Sequence, residues 1–249
     1  MSRSAPATAA TVKQVRAQLA PHQDVQRQEH AVTYFPTAMQ VLGVPVPALR
    51  EVAKELAQSH KSTPAAEVLA ICRALIADGT MEGRQVAYEL LERHKAAAAA
   101  LTEDDIEGLR AGLDNWASVD SFAASVAGPA WRRGQLSDAR VLGWARSPDR
   151  FVRRLALVCT VALNMRSRGG RGDVARTLQV CRGLVGDGDE FVVKALSWAL
   201  RELIPHDPAA LIAFIEQHEA SLNRRVLREV RVKLTTGRKN GSAAAERGA

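Results

Sequence analysis

The chain is 249 residues long with a mass of 26.9 kDa, room for one large domain or two small ones. Its 47% hydrophobic and 24% charged residues exclude a disordered chain, and 4% aromatics beside recurrent Ala, Leu, Arg and Glu favour helix over a β-sandwich. The net charge of +7 is uneven: residues 1–130 hold 12 Lys+Arg against 15 Asp+Glu, and residues 131–249 hold 22 against 12, which suits a polyanion-binding surface or ordinary solvated faces.

In chain order, residues 1–10 are mostly Ser, Ala, Thr and Pro, read as an unstructured tail without the apolar segment of a secretory signal. Helical territory is expected over 11–57, 64–100, 102–128, 137–165, 173–204 and 208–234, divided where Pro or Gly interrupts. Thr63-Pro64 offers an N-cap followed by proline at the first helical position, ahead of Val68, Ile71 and Leu75. Thr102 with Asp105 forms a shortened capping box before Ile106 and Leu109. Asp149 can cap a helix with Phe151, Leu155, Val158 and Ala162 on one side. The longest apolar stretch, Leu155–Met165, has 11 residues, short of the ~20 a membrane helix needs. Arg166–Asp173, RSRGGRGD, is a basic glycine-rich loop that can touch phosphates or simply lie exposed. Asp173 and Asp207-Pro208 start two more helices. Residues 235–249 lack apolar anchors and read as a flexible basic tail, leaving a single domain over 11–234.

No alternating run with hairpin turns competes, so the fold class is all-α. A unit of about 35–45 residues recurs without a clean sequence repeat; HEAT-like repeats stacked in a solenoid and an irregular bundle fit equally well. Cys72, Cys159 and Cys181 form no CxxC pair and no zinc spacing with the six scattered histidines, so they read as reduced core thiols of a cytoplasmic protein. Neither a P-loop, GxGxxG, HExxH nor GxSxG occurs, and no metal or cofactor is expected. Carboxylates, arginines and tryptophans are left to carry chemistry.

Three segments gather them. In Asn115–Ser121, NWASVDS, Trp116 and Asp120 stand at i and i+4, one above the other on a helix. Exposed, they pair a π-face with a fixed negative charge; alternatively the Trp is core and the Asp a surface or capping residue. In Phe151–Ala156, FVRRLA, Arg154 falls at the margin of the apolar side, where its fork can reach a carboxylate or phosphate, or rest on the helix surface. In Phe191–Glu202, Trp198 sits in an amphipathic helix with Lys194 and Arg201 flanking it at helical spacings. Trp131 and Trp144 lack such company and read as packing residues.

Taken in order, TYFP…VLGVPVPALR, NWASVDSF, FVRRLALV and VVKALSWALRE resemble the AlkD-like DNA alkylation repair glycosylases, from about Val25 to Val232. The resemblance implies a curved α-solenoid of HEAT-like repeats with a concave basic cleft for duplex DNA. Nothing requires an oligomer, so a monomer is the default, in the cytoplasm and at the nucleoid through DNA binding. The resemblance also implies that Trp116, Asp120 and Trp198 frame the catalytic cleft, that Arg154 holds the DNA backbone and that Tyr34 matches a cleft position; Lys194 and Arg201, flanking Trp198, are expected as further DNA contacts. The implied activity is hydrolysis of the N-glycosidic bond of cationic alkylated purines (N3-methyladenine, N7-methylguanine and bulkier adducts) without base flipping or strand cleavage. A non-catalytic binder of damaged or branched DNA on the same scaffold is the alternative. Two departures stand out: Arg166–Asp173 is longer than usual, and Phe191-Val192 replaces an aromatic pair before Lys194.

Overall fold

Capping residues decide where the helices begin. In the computed structural model, which describes residues 4–238, the capping box at Thr102 and Asp105 forms as expected, and Asp149, Asp173 and Asp207 each accept a backbone N–H of a first helical turn. At Thr63-Pro64 the helix starts one residue later than expected, with Pro64 itself in the capping position. The described residues are helical throughout, without a strand, apart from one isolated bridge between Gln40 and Thr80. No helix among them is long and apolar enough to cross a membrane.

The described chain divides into two compact units between Leu136 and Ser137. The first unit contains α1 (Ser4–Leu19), α2 (Val25–Tyr34), α3 (Val46–Ser59), α4 (Ala65–Ala77), α5 (Met81–Arg93), α6 (Lys95–Ala100), α7 (Glu103–Arg110), α8 (Trp116–Phe122) and α9 (Gly128–Arg132). A π-helical turn, Ala123–Ala127, joins α8 to α9. The second contains α10 (Asp138–Ala145), α11 (Arg150–Asn164), α12 (Val174–Arg182), α13 (Glu190–Arg201), α14 (Pro208–His218) and α15 (Arg224–Thr236). Residues 4–10, expected as an unstructured tail, are instead the first turns of α1. Alanine carries no side-chain entropy cost in a helix, and farther along α1 buries Val15 and Leu19, so a low-complexity stretch is drawn into the fold. The C-terminal tail from residue 239 on lies outside the described residues, while 235 and 236 complete α15.

In the first unit, α3 and α4 both pack on α5, whose Val86, Ala87, Tyr88, Leu90 and Leu91 are fully buried. A buried acid organises the adjoining loop. Glu82 accepts the backbone N–H groups of Leu42 (2.9 Å), Gly43 (2.9 Å) and Val44 (3.3 Å), spending its charge on three donors. Gly43 has φ of +73°, and a Cβ there would lie 2.2 Å from the Asp24 carbonyl oxygen. That explains the glycine in the VLGV segment.

In the second unit, α11, α13 and α15 pack side by side, while α10 and α12 pack on each other and on that row. The row is built from a local motif used twice. Asp149-Arg-Phe-Val and Asp189-Glu-Phe-Val each begin a helix, with the acid capping the N–H of Phe151 (2.7 Å) and Phe191 (2.9 Å). Asn223 does the same for Arg225 at 2.9 Å. Arg150 reaches Asp189 (3.6 Å), Arg225 reaches Glu190 (3.7 Å), and Ser197 donates to Glu229 (2.7 Å), so the three helices run in the same sense. Parallel helices in one row with intervening helices beside them are the packing of a helical-repeat array. The repeat is faint in sequence because only the cap and the first turn are held in common.

Gly43→Ala is expected to cost roughly 2–4 kcal/mol, since it adds both an unfavourable backbone conformation and a clash with a carbonyl. Urea denaturation of the variant beside the wild type measures this.

Candidate functional site

Helix α8 is short, and its position is set from outside. Asn115, 1% exposed, accepts the N–H of Ser118 at 2.9 Å and donates to the Ser118 hydroxyl at 3.1 Å, which starts the helix. Asp114 reaches in the other direction. Its carboxylate accepts the Thr37 hydroxyl and the Ala38 N–H, both at 2.6 Å, and the Asn115 amide at 3.1 Å. Partial burial pushes the Asp114 carboxyl up, but the hydrogen bonds from Thr37, Ala38 and Asn115 outweigh it and hold the group below the usual aspartate range. One carboxylate thus ties the loop after α2 to the start of α8.

Trp116 closes the same joint. Its Nε1 donates to the Tyr34 carbonyl oxygen at 3.2 Å, and its ring meets Tyr34 edge-on at 5.3 Å and Phe35 at 6.2 Å. His30 stacks on Tyr34 at 5.3 Å. Tyr34 is 57% exposed, so these rings form a wall at the surface of the first unit. Trp116 itself is half-buried; the fully core reading of it does not hold. Asp120, also half-buried, lies one turn along α8 on the side of Trp116. Behind the wall is a pocket of about 340 Å³ whose lining includes Phe35, Met81, Gln85, Tyr88 and Trp116.

The remaining expected residues lie in the second unit. Arg154 is not at a margin: it is 6% exposed, and its Nη1 donates to the Phe191 carbonyl oxygen at 2.6 Å. The guanidinium is therefore held against the first turn of α13. Beside it, the Phe151 and Phe191 rings meet at 5.5 Å with Arg150 lying over both. Lys194 is partly exposed and pairs with Glu190 at 2.5 Å. Trp198 is half-buried, with Nε1 donating to Glu202 at 3.2 Å. Arg201, expected as a DNA contact, is turned inward at 5% exposure. Its Nε donates to the Ser197 carbonyl (3.1 Å) and its Nη1 lies 3.4 Å from Glu229, because position 201 falls on the α13 face packed against α15. Trp131 and Trp144 are core residues, as expected. So are the three cysteines, whose thiols burial pushes well above their ordinary range.

The pairing of Asp114 with Thr37 has no signature in the sequence. The Asn115 cap has a local signal, but Thr37 lies 77 residues from Asp114, and nothing short-range connects them. The RSRGGRGD loop is ordered by its own backbone: Arg171 and Gly172 both donate to the Leu163 carbonyl, and the Asn164 side chain accepts from Asp173 at 2.8 Å. Arg166 and Arg171 remain exposed. Among the described residues, no three His, Cys, Asp or Glu side chains come together in a way that could hold a metal ion.

Residues 15–234 match the model of a family described as DNA alkylation repair enzyme. A search of curated proteins finds no match.

A carboxyl held below its unfolded value stabilises the fold most when ionised. The Asp114 contribution is complete above the ordinary aspartate value of about 3.9 and disappears as pH falls through the lower folded value. In a Trp198→Phe background, acid titration is expected to increase acrylamide quenching of Trp116 below about pH 4. Asp114→Asn removes that acid step and costs about 1–2 kcal/mol at neutral pH; an unchanged titration in the Asn variant contradicts the clamp.

Proposed function

The chain belongs to the DNA alkylation repair enzyme family, and on that premise we propose that it is a monofunctional glycosylase acting on cationic alkylated purines in duplex DNA. The observation that carries this reading is the anchored Trp116: an indole fixed by Tyr34 and Phe35, one helical turn from the carboxylate of Asp120.

The chemistry suits so small a set of groups. A purine alkylated at N3 or N7 carries a positive charge and leaves as a neutral base, so no strong general acid is needed. The bond electrons go to the base, and positive charge builds on the sugar. A carboxylate near that carbon stabilises the charge and orients the attacking water. At an effective dielectric of about 20, opposite charges ~4 Å apart attract by ~4 kcal/mol, roughly a thousandfold in rate. In the proposed roles Asp120 supplies this charge. Trp116 and Trp198 each add a cation–π contribution of about 0.5–2 kcal/mol.

Arg154 is proposed to hold the DNA backbone, aided by Lys194 and Tyr34. Its anchoring supports this role: a guanidinium held by a carbonyl loses less freedom on meeting a phosphate. Arg201 is better placed to hold α13 to α15 through Glu229 than to meet DNA. The basic residues 131–249 supply binding that weakens as salt rises. Gripping sugar and backbone rather than base leaves the lesion stacked, so bulky adducts are accepted. The protein is proposed to act as a monomer in the cytoplasm.

Incubation with methylated duplex DNA is expected to release N3-methyladenine or N7-methylguanine, detected by chromatography, and to leave abasic sites in unbroken strands. Asp120→Asn is expected to slow release by about 10²–10³-fold with little loss of DNA binding. Full release by that variant removes Asp120 from its role, and binding without any release by the wild type favours a non-catalytic DNA binder.

A further inference from the structure

We propose that the pocket behind Trp116 is a binding site for a free purine base. The inference rests on the glycosylase reading, because such a base is the product of that reaction. The pocket lies wholly within the first unit, and its volume of about 340 Å³ is at the small end of ligand pockets, ~300–1,000 Å³. Its lining includes the rings of Phe35, Tyr88 and Trp116, surfaces suited to a flat aromatic guest.

Polar groups in the lining narrow the choice. Met81, Gln85 and Tyr88 stand at i, i+4 and i+7 on α5 and share one face of it. Gln85 is half-buried, and its amide makes no hydrogen bond within the described residues. A free amide offers one donor beside one acceptor, the complement of the donor and acceptor on a purine edge. Arg84, 5% exposed, spends Nη1 on Tyr88 and Leu109 and Nη2 on Ala111, yet its buried Nε has no partner. That Nε is enclosed by protein and not open to the cavity, so Arg84 lends the lining positive charge rather than a donor. The carboxylate in the lining, Glu82, is already occupied by three backbone N–H groups. That leaves little to attract a cation and favours a neutral guest. An alkylpurine becomes neutral when its glycosidic bond breaks, since the bond electrons stay on the base.

Equilibrium dialysis of the full chain with free 3-methyladenine, without DNA, tests the site, with naphthalene as a flat control lacking nitrogen. Saturable binding of the base is expected, at least about tenfold weaker in Gln85→Leu and in Gln85→Met, each checked for a native melting temperature. Absence of binding, equal binding of naphthalene, or unchanged affinity in a folded Gln85 variant overturns the proposal. Base release from methylated DNA is scored separately: release without dialysis binding overturns the pocket and leaves the glycosylase reading standing. Binding without release has the opposite consequence.

Discussion

A half-buried tryptophan at the start of a short helix keeps its place only if something outside the helix holds it. Here the hold is a pair of contacts across one joint: the indole N–H on the Tyr34 carbonyl, and the Asp114 carboxylate on Thr37 and Ala38. Both draw the loop after α2 onto the first turn of α8. Without them, seven residues of helix would have little to fix the direction of Trp116 or Asp120. The aromatic wall and the pocket behind it depend on that joint.

The joint rests in turn on buried polar groups that are spent on backbone. Glu82 binds three N–H groups of the loop before α3, and Arg84 takes the carbonyls of Leu109 and Ala111 shortly before α8. Charged side chains inside a domain are expensive unless paired, and these two take backbone groups of a loop and of the end of α7 with the turn after it. They convert irregular segments into fixed ones on either side of the site. In the second unit the same economy appears at helix starts, where Asp149, Asp189 and Asn223 hold three parallel helices to a common pattern. Arg154 and Arg201 are then drawn against neighbouring helices, one on a carbonyl and the other near a carboxylate.

The two arginines show how far helical periodicity reaches. A wheel drawn for α11 places Arg154 at the edge of the apolar side, and the structure puts it beneath that edge because α13 lies alongside. Arg201 looks solvent-facing beside Trp198 until α15 supplies Glu229 on that face. Whether a cation at a margin is free or committed depends on the next helix in the row, which no local pattern contains.

What the sequence determined by itself is local: the all-α class, most helix starts, the core role of Trp131, Trp144 and the cysteines, and the candidate segments around Trp116, Arg154 and Trp198. Those follow from capping chemistry and the 3.6-residue period, which act within a few residues. Tertiary structure decided the rest: that Ala-rich residues 4–10 are helical, that Asp114 clamps Thr37, that Arg201 is internal, and that Gln85 and Arg84 face a pocket. Each of these turns on partners or packing distant in the chain, and the free energy of such contacts has no signature in the spacing of nearby residues.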